Sequence, residues 1–199
     1  MSVLKIDSSA RIHDSHSRIL TQYLVERISE KESKNGVTKV VERDLVKQPL
    51  PNISGEDLLD LAASSQDPRE SLQQHTQRSN DLIGELMEAK HLVFGVAMYN
   101  FSIPATLKQW VDYVCRAGLT FKYSEQGPEG LTNIKRAFIV TSSGGVPVGS
   151  EADFASGYLE QICRFIGVEE IVHIDAGGSL GTPEQVIAQG KHQIDLALA

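Results

Sequence analysis

LVFGVA at residues 92–97 runs directly into MYNFSIP at 98–104, and the junction between the two decides how this chain folds. A half-exposed strand would alternate apolar and polar residues. This run does not, so it reads as a strand buried on both faces, over 91–98. It ends in a thioether, two aromatic rings, an amide and a proline, which is unusual chemistry for the end of a core strand.

Outward from that strand the same logic repeats. VLKID at 3–7 reads as a first strand. From Ser17, Leu20, Tyr23, Leu24, Arg27 and Ile28 fall at helical spacing. TKVVERD at 38–44 reads as a second strand after the turn residues Asn35-Gly36. Residues 49–66 carry Pro49, Pro51 and Gly55 and read as a long irregular connection. Pro68 then suits the first turn of a helix reaching Ala89. Beyond the third strand, a helix is expected from Pro104 to Cys115, with Leu107, Trp110, Val111 and Val114 on one face. TFKY at 120–123 alternates, and Gly127-Pro128-Glu129-Gly130 reads as a turn. A fourth strand at 136–141, a helix at 150–166, a fifth strand at 169–175 and a last helix at 183–197 complete the chain. The pattern predicts one α/β domain over 1–199: a five-stranded parallel, doubly wound sheet with helices on both faces, in the flavodoxin-like order 2-1-3-4-5.

Composition narrows the function classes. The 199 residues are 41% hydrophobic and 23% charged, ordinary for one globular domain. Net charge is −7 with no basic block, so nucleic acid is not an expected partner. No stretch approaches the ~20 apolar residues of a membrane helix. The start, MSVLKIDSSARIHDS, lacks the apolar core of a signal peptide. Cys115 and Cys163 match no zinc spacing and read as buried thiols of a cytoplasmic protein.

In such sheets ligands sit beyond the carboxyl ends of the strands. Three loops lie there. The first, SSARIHDSHSR (8–18), has neither a G-x-G-x-x-G nor a P-loop pattern. It offers Ser8, Ser9, Ser15 and Ser17, the last two at a helix start, where free N–H groups and the helix dipole favour an anion. That suits a monophosphate; the simpler alternative is that Asp14, Ser15 or Ser17 only caps the helix. His13 and His16 form H-x-x-H, but no third metal ligand is evident. The second loop combines flat rings and an amide, as a heteroaromatic ligand requires. The third, Ser142-Ser143-Gly144-Gly145, lets backbone approach a ligand closely.

MYNFSIPATLKQWVDYVCRAGLTFKYSEQGPEGL at 98–131 resembles the signature of the bacterial FMN-dependent NADH–azoreductases, also called FMN-dependent NADH:quinone oxidoreductases. The resemblance extends from the serine-rich first loop to FIG at 165–167. It implies a homodimer with one FMN per subunit, an active site at the subunit interface, and hydride passing from NADH or NADPH to quinones and aromatic azo compounds by a ping-pong mechanism. By motif, Ser9, Ser15, His16 and Ser17 would hold the phosphate, and Met98, Tyr99, Asn100 and Phe101 would line the isoalloxazine. Ser142, Ser143, Gly144 and Gly145 would sit at its pyrimidine edge. The family often carries arginine where this chain has Ser143, so substrate range does not transfer. Phe121 and Tyr123, on one side of a loop that does not easily reach the core, resemble pocket walls; Phe165 is a further pocket candidate. No protein acid or base is required, because the flavin takes the hydride at N5.

Two other classes fit less well. GGSLG at 177–181 matches the G-x-S-x-G elbow of hydrolases, but after Ser179 only Glu184 and His192 follow, in or beside the last helix, with no strand to carry them. A Gly-rich turn explains the residues. A flavodoxin-like electron carrier without its own substrate would not need the aromatic excursion at 120–130.

Overall fold

The computed structural model describes residues 2–32, 37–57, 61, 70–178 and 181–199, with only the backbone of 70–73. Five strands, β1 (Ser2–Asp7), β2 (Lys39–Asp44), β3 (His91–Ala97), β6 (Arg136–Ser142) and β7 (Glu170–Asp175), form one sheet. Its order is β2-β1-β3-β6-β7 and every pairing is parallel. The predicted order of five parallel strands is the one observed.

Strict alternation along doubly buried strands supplies two cores at once. Leu92, Phe94 and Val96 of β3, with Leu4 and Ile6 of β1, belong to one. Val93, Val3 and the β6 residues Phe138 and Val140 belong to the other. Helices α2 (Glu70–Glu88), α3 (Ala105–Val114) and α4 (Ser156–Ile166) contribute Leu82, Leu86, Trp110, Leu159 and Ile166 to the first. Helices α1 (His16–Glu32) and α5 (Pro183–Leu198) contribute Leu20, Leu24, Val186 and Ile194 to the second. Both faces of the sheet are thereby removed from water, the burial that dominates folding free energy.

Two expectations are corrected. Gly127–Gly130 is a strand, β5, paired antiparallel with β4 (Phe121–Ser124); the turn is at 125–126. Gly130 is a contact residue: a Cβ there would lie 2.1 Å from the Gly167 nitrogen, so only glycine lets β5 meet the end of α4. Pro128 is tolerated because this hairpin forms a separate two-stranded sheet, where a missing donor costs little. The helix expected from residue 150 starts at Ser156. The Asp153 carboxylate accepts from the N–H groups of Gly149, Ala155 and Ser156 at 2.8, 2.9 and 2.9 Å, holding the preceding residues in turns. The Asn35-Gly36 turn, Pro68, Ser179 and much of the 49–66 connection lie outside the described residues.

Candidate active site

The carboxyl ends of β1, β3, β6 and β7 open onto neighbouring loops. The first is held from below. Ser8 donates both its N–H and its hydroxyl to Gly95 O, at 3.0 and 2.8 Å. Arg18, on the first turn of α1, donates Nε and Nη2 to Ser9 O at 3.2 and 2.8 Å. The same guanidinium grips Asp44 with two bonds of 2.6 and 2.9 Å. Burial would raise the Asp44 carboxyl; the Arg18 hydrogen bond and the N–H groups of Lys47 and Val46 outweigh it and lower it to about 2. Asp7, beneath the loop, goes the other way: burial pushes it up against the opposing pull of Lys5, Thr21 and Arg18.

Ser15 is the N-cap of α1. Its hydroxyl accepts from Arg18 N at 3.4 Å and its carbonyl from Ile19 N at 3.1 Å. Ser17 stands behind it, fully buried, with the two hydroxyl oxygens 3.0 Å apart. Ser9 is buried as well. Ser15 therefore does cap the helix, and capping leaves ligand contact open to it because Ser15 also lines the cavity described below.

The second loop is built differently. Tyr99 and Ser102 exchange backbone hydrogen bonds of 3.0 and 3.1 Å across Asn100 and Phe101. Both central residues have positive φ, 49° and 71°, the signature of a type I′ turn. Asparagine tolerates this conformation, whereas a phenylalanine held there costs about 1–2 kcal/mol. Phe101 is nonetheless 53% exposed. Strain without burial at the end of a core strand points to a surface meant to meet something else. Phe154 N donates to Phe101 O at 3.0 Å, tying the turn to the segment before α4.

The loops are bonded to one another. Tyr99 OH accepts from Ala10 N at 3.1 Å, linking the first and second. Met98 N donates to Ser142 O at 2.7 Å, linking the second and third. Ser143 Oγ donates to Val146 O, closing the third upon itself. Gly178 N, after β7, donates to Ser143 O at 2.7 Å. A Cβ at Gly178 would lie 3.0 Å from Gly144 O and 3.2 Å from Ser143 O, so any larger residue would push the third loop back by a few tenths of an ångström.

Between them is a cavity of about 420 Å³. Of the residues read from sequence, Ser9, Ser15, His16, Met98, Tyr99, Ser142, Ser143 and Gly144 line it. Ser17 supports Ser15 from behind; Asn100 and Phe101 form the turn beyond; Gly145 follows the lining Gly144. Arg11, Asp14, Ala97 and Gly178 also line it and were missed. For Gly178 the signal was available: Gly177-Gly178 follows a fifth strand in the same sheet.

Phe121 and Phe165 are elsewhere. Their ring centroids are 4.1 Å apart, with Tyr123 edge-on to Phe121 at 5.5 Å. Phe121 is only 7% exposed, which corrects the expectation that its loop stays clear of the core, whereas Tyr123 is 74% exposed. Phe165 lies at the far end of α4, beside the junction where Thr132 N donates to Ile166 O at 3.1 Å. At ~1.5 Å per residue, the length of α4 separates this cluster by about 16 Å from the strand ends that carry the cavity. The three rings do not line their own chain's cavity.

Comparison with known proteins agrees with the fold. Residues 1–198 match a family described by its flavodoxin-like fold. FMN-dependent NADH:quinone oxidoreductase 1 of Hahella chejuensis is 43% identical over 196 residues, 98% of this chain and 94% of that protein. FMN-dependent NADH:quinone oxidoreductase 3 of Pseudomonas aeruginosa is 43% identical over 183 residues, 92% of this chain and 84% of that one. The crystal structure of an azoreductase from Bacillus anthracis superimposes with a TM-score of 0.81 at 25% identity, covering 99% of this chain and 98% of that one.

Proposed function

The chain belongs to the flavodoxin-like family of FMN-dependent NADH:quinone oxidoreductases, and from that premise we propose that its cavity holds one FMN, to which NADH and then a quinone or aromatic azo compound come in turn. The residues fit the group. At one end, buried serine hydroxyls, Arg11, His16 and the N–H groups opening α1 match a monophosphate. At the other, Met98 and Tyr99 offer flat apolar contact, and the Ser143–Gly144 backbone offers polar atoms between them. The observation that carries the reading is the hydrogen bond from Ala10 N to Tyr99 OH, which joins the anion end to the ring end in a single cavity.

When bound, FMN supplies the two-electron chemistry, taking hydride from the nicotinamide and delivering it to the acceptor. The chain supplies position. Arg18 holds the Ser9 carbonyl, Ser15 presents its hydroxyl at the helix start with Ser17 bonded behind it, and Met98 with Tyr99 would bear on the ring. Among the described residues no helix is long and apolar enough to cross a membrane. A supply of NADH places the reaction in the cytoplasm.

The protein works as a homodimer. Tyr99, Phe101 and Phe154 are large rings between 40% and 64% exposed beside the cavity, and Tyr123, remote from it, is 74% exposed; uncovered rings of this size support a partner surface. Because Phe121, Tyr123 and Phe165 are a helix length from their own cavity, their place as acceptor walls is in the partner's site. Purified protein should release FMN on acid treatment and give parallel double-reciprocal lines with NADH and a quinone. FAD, or no flavin after reconstitution, would end the reading; intersecting lines would replace the shared site with two separate ones.

A further inference from the structure

A second concavity of about 640 Å³ adjoins the cofactor cavity and shares Arg11, Asp14 and His16 with it. Its other wall is α5, which presents Glu184, Ile187, Ala188 and Lys191. These fall at i, i+3, i+4 and i+7, one face of a helix. Ile19 of α1 completes the floor and is 42% exposed, a large apolar side chain that the fold leaves uncovered. The groove therefore has an apolar floor, cations at Arg11 and Lys191, the His16 imidazole, and carboxylates at Asp14 and Glu184.

Resting on the family reading above, we propose that this groove seats the adenosine-phosphate half of NADH while its nicotinamide lies on the cofactor ring. The occupant must extend from the ring, pass phosphates beside Arg11 and His16, and end in a flat group carrying hydroxyls. A quinone has no anion to offer these cations. Arg11 lines both cavities, and its pairing with Asp14 spans 4.0 Å between two exposed side chains and contributes little, so its guanidinium would stand between the FMN phosphate on one side and the donor's phosphates on the other. Lys191 Nζ rests 4.9 Å above the Tyr23 ring and has the reach of a flexible four-carbon stem. Ile19 and Ile187 give adenine apolar contact. Glu184 accepts from the ribose hydroxyls, the task acidic residues perform for NAD in other dinucleotide sites, and repels the 2′-phosphate of NADPH. Its carboxyl is held below the usual range by the backbone N–H at the helix start, by Thr182 and by His16, so the negative charge persists across neutral pH.

The test uses FMN-loaded protein and two donors, NADH and reduced nicotinamide mononucleotide, which lacks the adenylate. Ala188→Trp fills the groove, and Lys191→Glu reverses one charge without adding bulk. Each should raise the KM for NADH about tenfold, the equivalent of losing one charge-assisted hydrogen bond, and leave the KM for the mononucleotide unchanged. Calorimetric titration with ADP-ribose should show binding to the parent protein and none to Ala188→Trp. Glu184→Gln should bring the NADPH and NADH constants closer together. FMN affinity and melting temperature are read in parallel; if Ala188→Trp fails to fold, Lys191→Glu carries the test. Equal effects on both donors, or ADP-ribose binding that ignores both variants, would overturn the proposal. Weakened binding of added FAD with unaltered NADH constants would overturn it too, by giving the groove to a longer flavin. Failure of the loaded protein to oxidise either donor would refute the family reading itself, and this inference with it.

Discussion

The two ends of the cavity are built on opposite plans. At the anion end, backbone and charge are tied down: Ser8 is bonded twice to Gly95, Arg18 spans Ser9 and Asp44, and the serines are buried. At the ring end, the Asn100–Phe101 turn stores backbone strain and leaves its rings exposed. A phosphate is a fixed charge with fixed geometry, and pre-set donors bind it best. Flat donors and acceptors of different shapes must come and go at the other end, where exposed rings tolerate them. The difference fits the proposed division, with the phosphate anchored at one end and the exchange of flat molecules at the other.

The severest way to break the comparison is to cut the clamp. Arg18→Met removes both short hydrogen bonds to Asp44 and the second cation beside Asp7, leaving only Lys47 at 3.6 Å and Lys5 at 3.5 Å, and should cost about 3 kcal/mol of stability, the low end for breaking a buried pair. Urea melts measure that, and FMN titration measures the site. Unaltered FMN affinity at full folding would mean that the clamp serves the fold and not the anion end. The same pair predicts a pH response. Asp44's folded value, about 2, lies below its ordinary value of 3.8, so its contribution is complete above about pH 4 and is lost as pH falls toward 2. That share is roughly 2 kcal/mol. Asp44→Asn should flatten the acid limb of a stability profile, and an unchanged limb would remove Asp44 from the account.

Phe121→Ala is the control remote from both ends. Emptying its place against Phe165 and Tyr123 should cost about 3 kcal/mol. FMN affinity should hold, and the KM for quinones should rise only if the ring walls the partner's site. An unaltered KM with a large melting shift would assign Phe121 to packing alone. Ser17→Ala should weaken FMN by about 1–2 kcal/mol, through the Ser15 hydroxyl that it holds; unchanged affinity would leave Ser17 a buried support for the cap. The smallest effect belongs to the strained turn. Phe101→Gly should raise stability by up to about 1 kcal/mol, since glycine accepts positive φ without strain but adds chain entropy to the unfolded state. The acceptor KM should rise in the same variant. A destabilised Phe101→Gly would show that the ring, not the backbone, holds the turn.

Much of this was legible before any coordinates. The apolar β3 run required burial on both faces, and with alternating helical and extended periods that leaves few arrangements other than a doubly wound sheet. Serines at a helix start and rings at a strand end marked two ends of one site. The errors were local and share a cause. Gly127-Pro128-Glu129-Gly130 has the composition of a turn, yet Gly130 is there because the Gly167 backbone lies against it. Residues 150–155 carry helix-compatible residues, yet Asp153 draws three N–H groups into turns.

The sequence by itself determined the sheet, the sides of its two cores and which loops meet beyond the strand ends, because hydrophobic period is a local property that burial must honour. Tertiary structure alone decided that Arg18 reaches both Ser9 and Asp44, residues 9 and 26 positions away, that Gly178 lines the cavity, and that Phe121 and Phe165 pack against each other away from it. Those are contacts between segments distant along the chain. No periodicity records them, since they depend on where packing sets each backbone and on which atoms then come within bonding distance.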